Sequence, residues 1–307
     1  IPAGAMADLR DNFSAVFIGA YGDPRIPDMR HAADILLGIR FQLDLYINFR
    51  PCRLYDARLC PLKGKSPADI DFTIFRENTE GSYVGIGGFL KKGTPDEVAI
   101  QEEINTYKGV ERICRAAFEW AVANGKKKVL MADKSNVMRY GHDLWQRVFF
   151  GLAKEFPSIA ASHMFVDALC MQMVRAPEQF EVIVSNNMFG DILTDEAAMI
   201  SGSMGMMPSA SLGLRDADGL GIGLYEPIHG SAPDIAGQGK ANPLAMILST
   251  AMMLRLSLGL NAEADAIEAA VSATIAEGHR TPDIGGGAAS VVDTATMGTK
   301  VADKLGG

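Results

Sequence analysis

Between residues 108 and 200 short apolar runs alternate with segments of helical periodicity, and this alternation constrains the fold more than any other feature. Lys108 to Asn124 sets Val110, Ile113, Cys114, Ala117, Phe118 and Ala121 on one face and Glu111, Arg112, Arg115 and Glu119 on the other, as in an amphipathic helix. Strand and helix then succeed each other as Lys128 to Ala132, Asp143 to Glu155, Ala161 to Val166, Ala168 to Val174, Glu181 to Ser185 and Phe189 to Ile200. Such alternation predicts an α/β sandwich. Upstream, Ala15 to Ala20 reads as a buried strand closed by Gly22-Asp23-Pro24, and a helical stretch then reaches Asp44. The short strands Leu45 to Asn48 and Phe72 to Phe75 lead to Arg50 and Arg76, at strand ends that commonly face a cleft. Downstream, the Gly, Ser and Pro-rich stretch from Ser201 to Asn242 is too long for a simple connection and reads as a binding loop. Helices over Pro243 to Leu258, Glu263 to Glu277 and Ala289 to Leu305 close the chain.

With 307 residues, 48% of them apolar, the chain can bury one large core or two smaller ones sharing a sheet. A net charge of -8 with scattered Lys and Arg excludes a general nucleic-acid binder, which needs clustered cations. Cys52, Cys60, Cys114 and Cys170 read as reduced packing residues, which fits a cytoplasmic location. No apolar stretch reaches the length of a membrane span, and no basic-plus-apolar leader precedes the first strand. The chain opens on Ile1 and is in an apolar strand by Ala15, so further sequence is expected before it. No G-x-G-x-x-G follows a strand and no G-x-x-x-x-G-K-[ST] occurs, which supports neither a Rossmann nor a P-loop site.

The sharpest local signal is Asn187 to Asp195, directly after the apolar strand Val182 to Ser185. On a helix starting near Phe189, Asp191 and Asp195 share a face with Cβ atoms roughly 5–6 Å apart. Two such carboxylates repel by up to about 4 kcal/mol at an effective dielectric near 20, and an oxygen-only set that close suits Mg²⁺ or Mn²⁺. The same pair also reads as an acidic first turn complementing the helix dipole. Asp167 follows the strand Met164 to Val166 and reads equally as a ligand or a helix N-cap. Lys134 follows a strand end, where a nearby cation would favour its neutral, basic form. Arg40, Arg50 and Arg76 form a set for an anionic substrate, since guanidiniums grip carboxylates through paired hydrogen bonds, although each alone reads as a surface charge. Tyr83 is a candidate general acid or an ordinary strand tyrosine. In His229-Gly230-Ser231-Ala232-Pro233-Asp234 small residues let backbone amides approach a ligand, while Asp234 suits two ribose hydroxyls and repels the 2′-phosphate of NADP.

Taken together, Asn48-Phe49-Arg50-Pro51, Arg76 to Tyr83, Asp133-Lys134-Ser135-Asn136, Asn187 to Asp195 and His229 to Asn242 resemble the β-decarboxylating dehydrogenases, the isopropylmalate, isocitrate, homoisocitrate and tartrate or D-malate enzymes. The stretches span nearly the whole chain in family order. The resemblance implies a fold unlike the Rossmann type, with two domains sharing a large mixed sheet. Residues 1–45 joined by 202–307 would form the cofactor-side domain, and 46–201 the dimerisation and metal domain. It implies a homodimer whose sites each take a lysine and an aspartate from the partner, at positions matching Lys134 and Asp167. Arg40, Arg50 and Arg76 would hold the substrate carboxylates, Asp191, Asp195 and Asp167 the divalent metal, and His229, Gly230, Ser231, Ala232, Asp234 and Asn242 the NAD. Lys134 would take the hydroxyl proton as hydride passes to NAD, and Tyr83 would protonate the decarboxylated product. The chain departs from the family in lacking the opening strand and its G-D-G-I-G-P-E segment.

Leu36 and Leu37, shortly before Arg40, would present an alkyl surface to a C3 isopropyl group, so 3-isopropylmalate is the expected substrate. Against it, Arg76-Glu77-Asn78-Thr79-Glu80-Gly81 resembles the tartrate, D-malate and homoisocitrate version. Burying an isopropyl group is worth on the order of 1.5–3 kcal/mol, enough for a preference over smaller malates. A non-catalytic regulatory relative is disfavoured, because Asp167, Asp191, Asp195, Lys134 and Tyr83 are all present.

Overall fold

Strands whose residues are apolar in both alternating sets need helices on both faces. In the strand Lys128–Asp133, Val129 and Met131 join Val182 and Val184 under the helices Tyr107–Ala123 and Gly141–Ala153. Leu130 and Ala132 join Ile183 on the opposite face, under the helices Val166–Arg175 and Asn187–Ile200. The structure, a computed structural model, describes residues 2, 4–27, 32–286 and 290–306.

Its strands are β1 (Ala15–Phe17), β2 (Ile47–Arg53), β3 (Asp71–Glu77), β4 (Gly87–Leu90), β5 (Val98–Gln101), β6 (Lys128–Asp133), β7 (Ala160–Phe165), β8 (Val182–Ser185), β9 (Pro208–Leu212), β10 (Gly223–Pro227), β11 (His279–Arg280) and β12 (Ser290–Val291). Eight of these form one mixed sheet in the order β1-β10-β9-β2-β3-β8-β6-β7. Antiparallel pairs β10·β9, β9·β2 and β2·β3 sit in the middle, which separates this fold from a doubly wound parallel sheet. The strands β3, β8, β6 and β7 are mutually parallel, so Arg76, Asn186, Lys134 and Asp167 all lie at one carboxyl edge. Ligands of open α/β sheets sit at such edges.

The helices and strands between 107 and 200 fall within two residues of their expected bounds. Other expectations need correction. The strand expected over Ala15 to Ala20 stops at Phe17 and is only partly covered, because it pairs with β10 alone and lies at the sheet edge among the described residues. The strand expected over Leu45 to Asn48 runs Ile47–Arg53, so Arg50 lies inside the strand rather than at its end. The stretch Ser201 to Asn242 is no simple loop, since it supplies the fully buried strands β9 and β10. The serines of β9 are tolerated because Asn48 Nδ2 donates to Ser209 and Ser211 (3.3 and 3.1 Å) and Asn78 Nδ2 to Ser211 (3.1 Å). The last helix starts at Thr294, where Asp293 accepts from the Thr296 amide at 2.7 Å; residues 287–289 lie outside the described residues. The helical stretch before Asp44 consists of a π-helical turn Ala33–Leu37 running into Gly38–Gln42, with 28–31 outside the described residues. The four cysteines are free, and no described helix is long and apolar enough to cross a membrane.

One ion pair ties the segment after β2 to β11. Arg280, whose side chain is 1% exposed, donates to Asp56 at 3.0 Å and to the His279 carbonyl at 2.8 Å. Hydrogen bonds from Arg58, helped by the charge of Arg280, hold the Asp56 carboxyl at about 2. Asp56→Ala leaves a buried guanidinium without its carboxylate and is expected to cost about 3 kcal/mol in urea unfolding. The folded-state pKa is depressed, so this contribution is complete above the ordinary carboxylate range and fades as pH falls towards 2. A wild-type midpoint for Asp56→Ala would show that the pair is energetically idle.

Candidate active site

The first wall of the site is built where β2 and β3 pass beside the Asn187–Ile200 helix. Asn186 caps that helix, its Oδ1 accepting from the Phe189 amide at 2.9 Å, which brings Asp191 over the strands. Arg50 Nη1 donates to Asp191 Oδ1 at 3.2 Å and to Thr194. Arg76 also donates to Asp191 Oδ1, and its Nε and Nη2 donate to Asn187 Oδ1 at 3.0 and 2.7 Å. Gly190 makes the approach possible, because a Cβ there would lie 2.6 Å from Arg76 Cγ. Tyr83 Oη donates to Asp191 Oδ2 at 2.7 Å, with the Arg76 guanidinium 5.2 Å from its ring centre.

Burial lowers the Arg76 pKa to about 9, with Arg50 adding to the effect, and burial lowers Arg50 as well. Burial works to raise Asp191, but Arg76, Arg50 and the Tyr83 hydroxyl together hold it below the usual carboxylate range. Tyr83 is raised by burial and by its bond to Asp191, so its phenol keeps its proton.

The facing wall comes from residues far apart in sequence. Arg40 Nη2 donates to Glu226 Oε1 at 2.7 Å, both side chains being buried, and Arg40 Nε is buried without a protein partner. That orphaned donor marks a place where a ligand carboxylate would be welcome. Leu36, Leu37, Arg40, Arg50, Arg76, Tyr83, Asp191, Glu226, His229 and Gly230 line one cavity of about 240 Å³. That volume suits a small di-acid better than a dinucleotide. Glu226 was not singled out in the sequence, where an acid inside the apolar strand Gly223–Pro227 was the available signal.

Asp195 lies on the exposed side of the same helix, four residues on. Burial and the charge of Asp191 raise its pKa, and no hydrogen bond or ion pair to it is found among the described residues. Two carboxylates that repel, one of them unpartnered and with oxygen as the only donor atom, fit a hard divalent cation such as Mg²⁺ or Mn²⁺. Within one chain the set is incomplete, because no group of three or more His, Cys, Asp or Glu is arranged for a metal among the described residues. Asp167 is elsewhere, accepting from Lys134 Nζ at 2.6 Å, a bond that lowers its pKa. It stands in the first turn of the Val166–Arg175 helix rather than at its N-cap, which is Phe165.

His229 and Gly230 reach the cavity, whereas Ala232 and Asp234 lie along an exposed stretch beyond it and Ser231 is half-buried. Ala232 takes a left-handed conformation, φ 43°, turning the chain into the short Pro233–Ile235 helix. Asn242 is buried and already engaged, donating to Asp283 at 3.1 Å and accepting from the Leu244 amide at 3.0 Å. Its side chain therefore anchors the loop rather than offering free groups.

A family profile described as isocitrate/isopropylmalate dehydrogenase matches residues 1–301. The chain is 47% identical to a 3-isopropylmalate dehydrogenase of Streptomyces griseus over 263 residues, covering 86% of this chain and 74% of that protein. It is 46% identical to one of Ruegeria pomeroyi over 298 residues, covering 95% and 80%. Among solved structures it is similar to an isocitrate dehydrogenase of Methylococcus capsulatus, with a TM-score of 0.88, 35% identity and coverage of 99% and 85%.

Proposed function

The chain belongs to the isocitrate/isopropylmalate dehydrogenase family, and from that premise we propose that it converts 3-isopropylmalate to 4-methyl-2-oxopentanoate with NAD, a step of leucine biosynthesis. It is a decarboxylating dehydrogenase, and as such works with a nucleotide cofactor and a divalent metal on a small-molecule substrate. The observation that carries the substrate is the single cavity in which three buried arginines face a pair of leucines. The guanidiniums satisfy two carboxylates, and the alkyl wall removes the isopropyl group from water.

In this reading Arg40, Arg50 and Arg76 bind the carboxylates and orient the substrate, while Leu36 and Leu37 receive its alkyl group. Asp191 and Asp195, completed by the partner's Asp167, would hold Mg²⁺ or Mn²⁺. That ion, when bound, supplies Lewis acidity to the substrate hydroxyl and later carbonyl oxygen. The partner's Lys134 would take the hydroxyl proton, and NAD, when bound, would supply the acceptor for the C2 hydride. Tyr83, kept protonated by its surroundings, delivers the proton that replaces the lost carboxylate. In the structure Arg50, Arg76 and Tyr83 all donate to Asp191, and with substrate bound these donors would turn from Asp191 to the ligand carboxylates.

The second site component is a second copy of the chain. Met171 and Val174 are exposed on the helix that carries Asp167, and Ile192 and Met199 on the helix that carries Asp191 and Asp195. The hairpin β4·β5 exposes Phe89, Leu90 and Ile100 as well. A homodimer that covers these surfaces accounts for Lys134 and Asp167 standing together, apart from the carboxylates of their own chain. The cavity would then lie between the domain of residues 1–45 and 202–307 and the domain of residues 46–201. A cytoplasmic location belongs to the same reading.

Equal amounts of NADH, CO₂ and 4-methyl-2-oxopentanoate are expected from 3-isopropylmalate with Mn²⁺. NADH formed without CO₂ would remove decarboxylation from the assignment. For the cofactor, Asp234→Lys replaces the carboxylate proposed to accept from the ribose hydroxyls. KM for NAD is expected to rise about tenfold or more, with relative tolerance of NADP improving. An unchanged NAD to NADP ratio would take Asp234 out of the ribose site.

A further inference from the structure

Lys134 leaves the end of β6 in a tight turn, and a fully buried histidine from the next helix accepts its backbone amide. His142, 0% exposed, receives the Lys134 N–H on Nδ1 at 2.7 Å. An amide can only donate, so Nδ1 must be unprotonated and the ring proton sits on Nε2. There Glu103 Oε1 stands at 3.3 Å, itself accepting from Asn186 Nδ2 at 2.9 Å. The ring packs edge-on against Phe189, 5.6 Å between centres. On the other side of the turn, buried Asp133 accepts from the Ser135 amide at 3.0 Å and stands 2.7 Å from His163 Nε2. The lysine backbone is thus clamped in a defined tautomeric network, while its ammonium extends to Asp167.

We infer that His142 is a positioning residue that fixes the Lys134 backbone so that the ammonium, with Asp167, is delivered to the partner subunit's site. The inference rests on the shared-site reading above. Through Glu103 the network also reaches Asn186, which caps the helix carrying Asp191, so His142 has two candidate destinations. They can be separated, because a fault in the lysine damages the partner's site and a fault in the cap damages the chain's own.

The test uses dimers whose two chains carry different tags, so that each mixed dimer is purified by both. The His142→Phe homodimer, which keeps the ring packing and loses both polar contacts, is expected to lose about 100-fold in kcat, with KM for 3-isopropylmalate changed less than about threefold. His142→Gln, which retains an acceptor and a donor, is expected to recover most of that loss. A mixed dimer of one His142→Phe chain and one Asp191→Asn chain is expected to keep about half of the wild-type kcat, since one of its two sites receives only intact parts. Placing both substitutions in one chain beside a wild-type chain is expected to abolish that activity. A mixed dimer of Lys134→Met with Asp191→Asn checks the underlying reading separately, and an inactive one would bring down the shared site. If that dimer is active while the His142→Phe pairing is inactive, or if the His142→Phe homodimer turns over normally, the inference is overturned. Should His142→Phe not assemble, His142→Gln carried through the same pairings gives the same comparison from a smaller loss.

Discussion

Asp191→Asn is expected to lose at least about a thousand-fold in kcat/KM for 3-isopropylmalate, the equivalent of about 4 kcal/mol of transition-state stabilisation. Asp191 is the acid at which Arg50, Arg76 and Tyr83 meet. With Asn the cation site loses a full charge, and two buried guanidiniums lose the carboxylate that offsets them. Tyr83 also loses the charged acceptor that aligns its phenol. Steady-state rates and Mn²⁺ titration measure the effect, with circular dichroism showing that the fold is kept. A variant within tenfold of wild type, binding Mn²⁺ normally, would mean that the carboxylate serves the arginines alone.

Lys134→Met is expected to lower kcat by about 10²–10⁴-fold while leaving KM and Mn²⁺ affinity near wild type. Methionine keeps the unbranched stem and removes only the group that would move the proton. Within its own chain the Lys134 ammonium bonds to exposed Asp167 and lies 5.8 Å from the Phe165 ring centre, and the methionine stem keeps the apolar part of that contact. Loss of that ion pair alone would change stability by little, because its carboxylate partner is largely solvent-exposed. A large kcat effect therefore reports chemistry rather than folding. An unchanged kcat with a raised KM would instead make the lysine a binding cation.

The segments that the sequence made legible are those with a clear period. The helix Tyr107–Ala123 and the strands β6 and β8 have apolar residues where two-sided packing demands them, and β6 leads to Lys134, β7 to Asp167, and β8 to the helix of Asp191 and Asp195. Legibility failed where burial is achieved by polar satisfaction instead. In β9 the alternation Pro208-Ser209-Ala210-Ser211-Leu212 is a buried strand whose serines meet Asn48, Asn78 and Arg50, partners at least 130 residues distant in sequence. Glu226 escaped notice for the same reason, because its partner Arg40 lies 186 residues away. The hairpin β4·β5 lacked a period that distinguishes it from a loop, its apolar residues being exposed in the single chain. His142 sits in an apparently ordinary helical turn, and only its buried contact with the Lys134 amide reveals it.

The central assignment is tested most directly by comparing kcat/KM for 3-isopropylmalate, D-malate, tartrate, isocitrate and homoisocitrate, with NAD and Mn²⁺, on the same enzyme preparation. The leucine-walled cavity predicts that 3-isopropylmalate leads by about tenfold or more, the value of one buried isopropyl group. Strong turnover of D-malate with none of 3-isopropylmalate would contradict it.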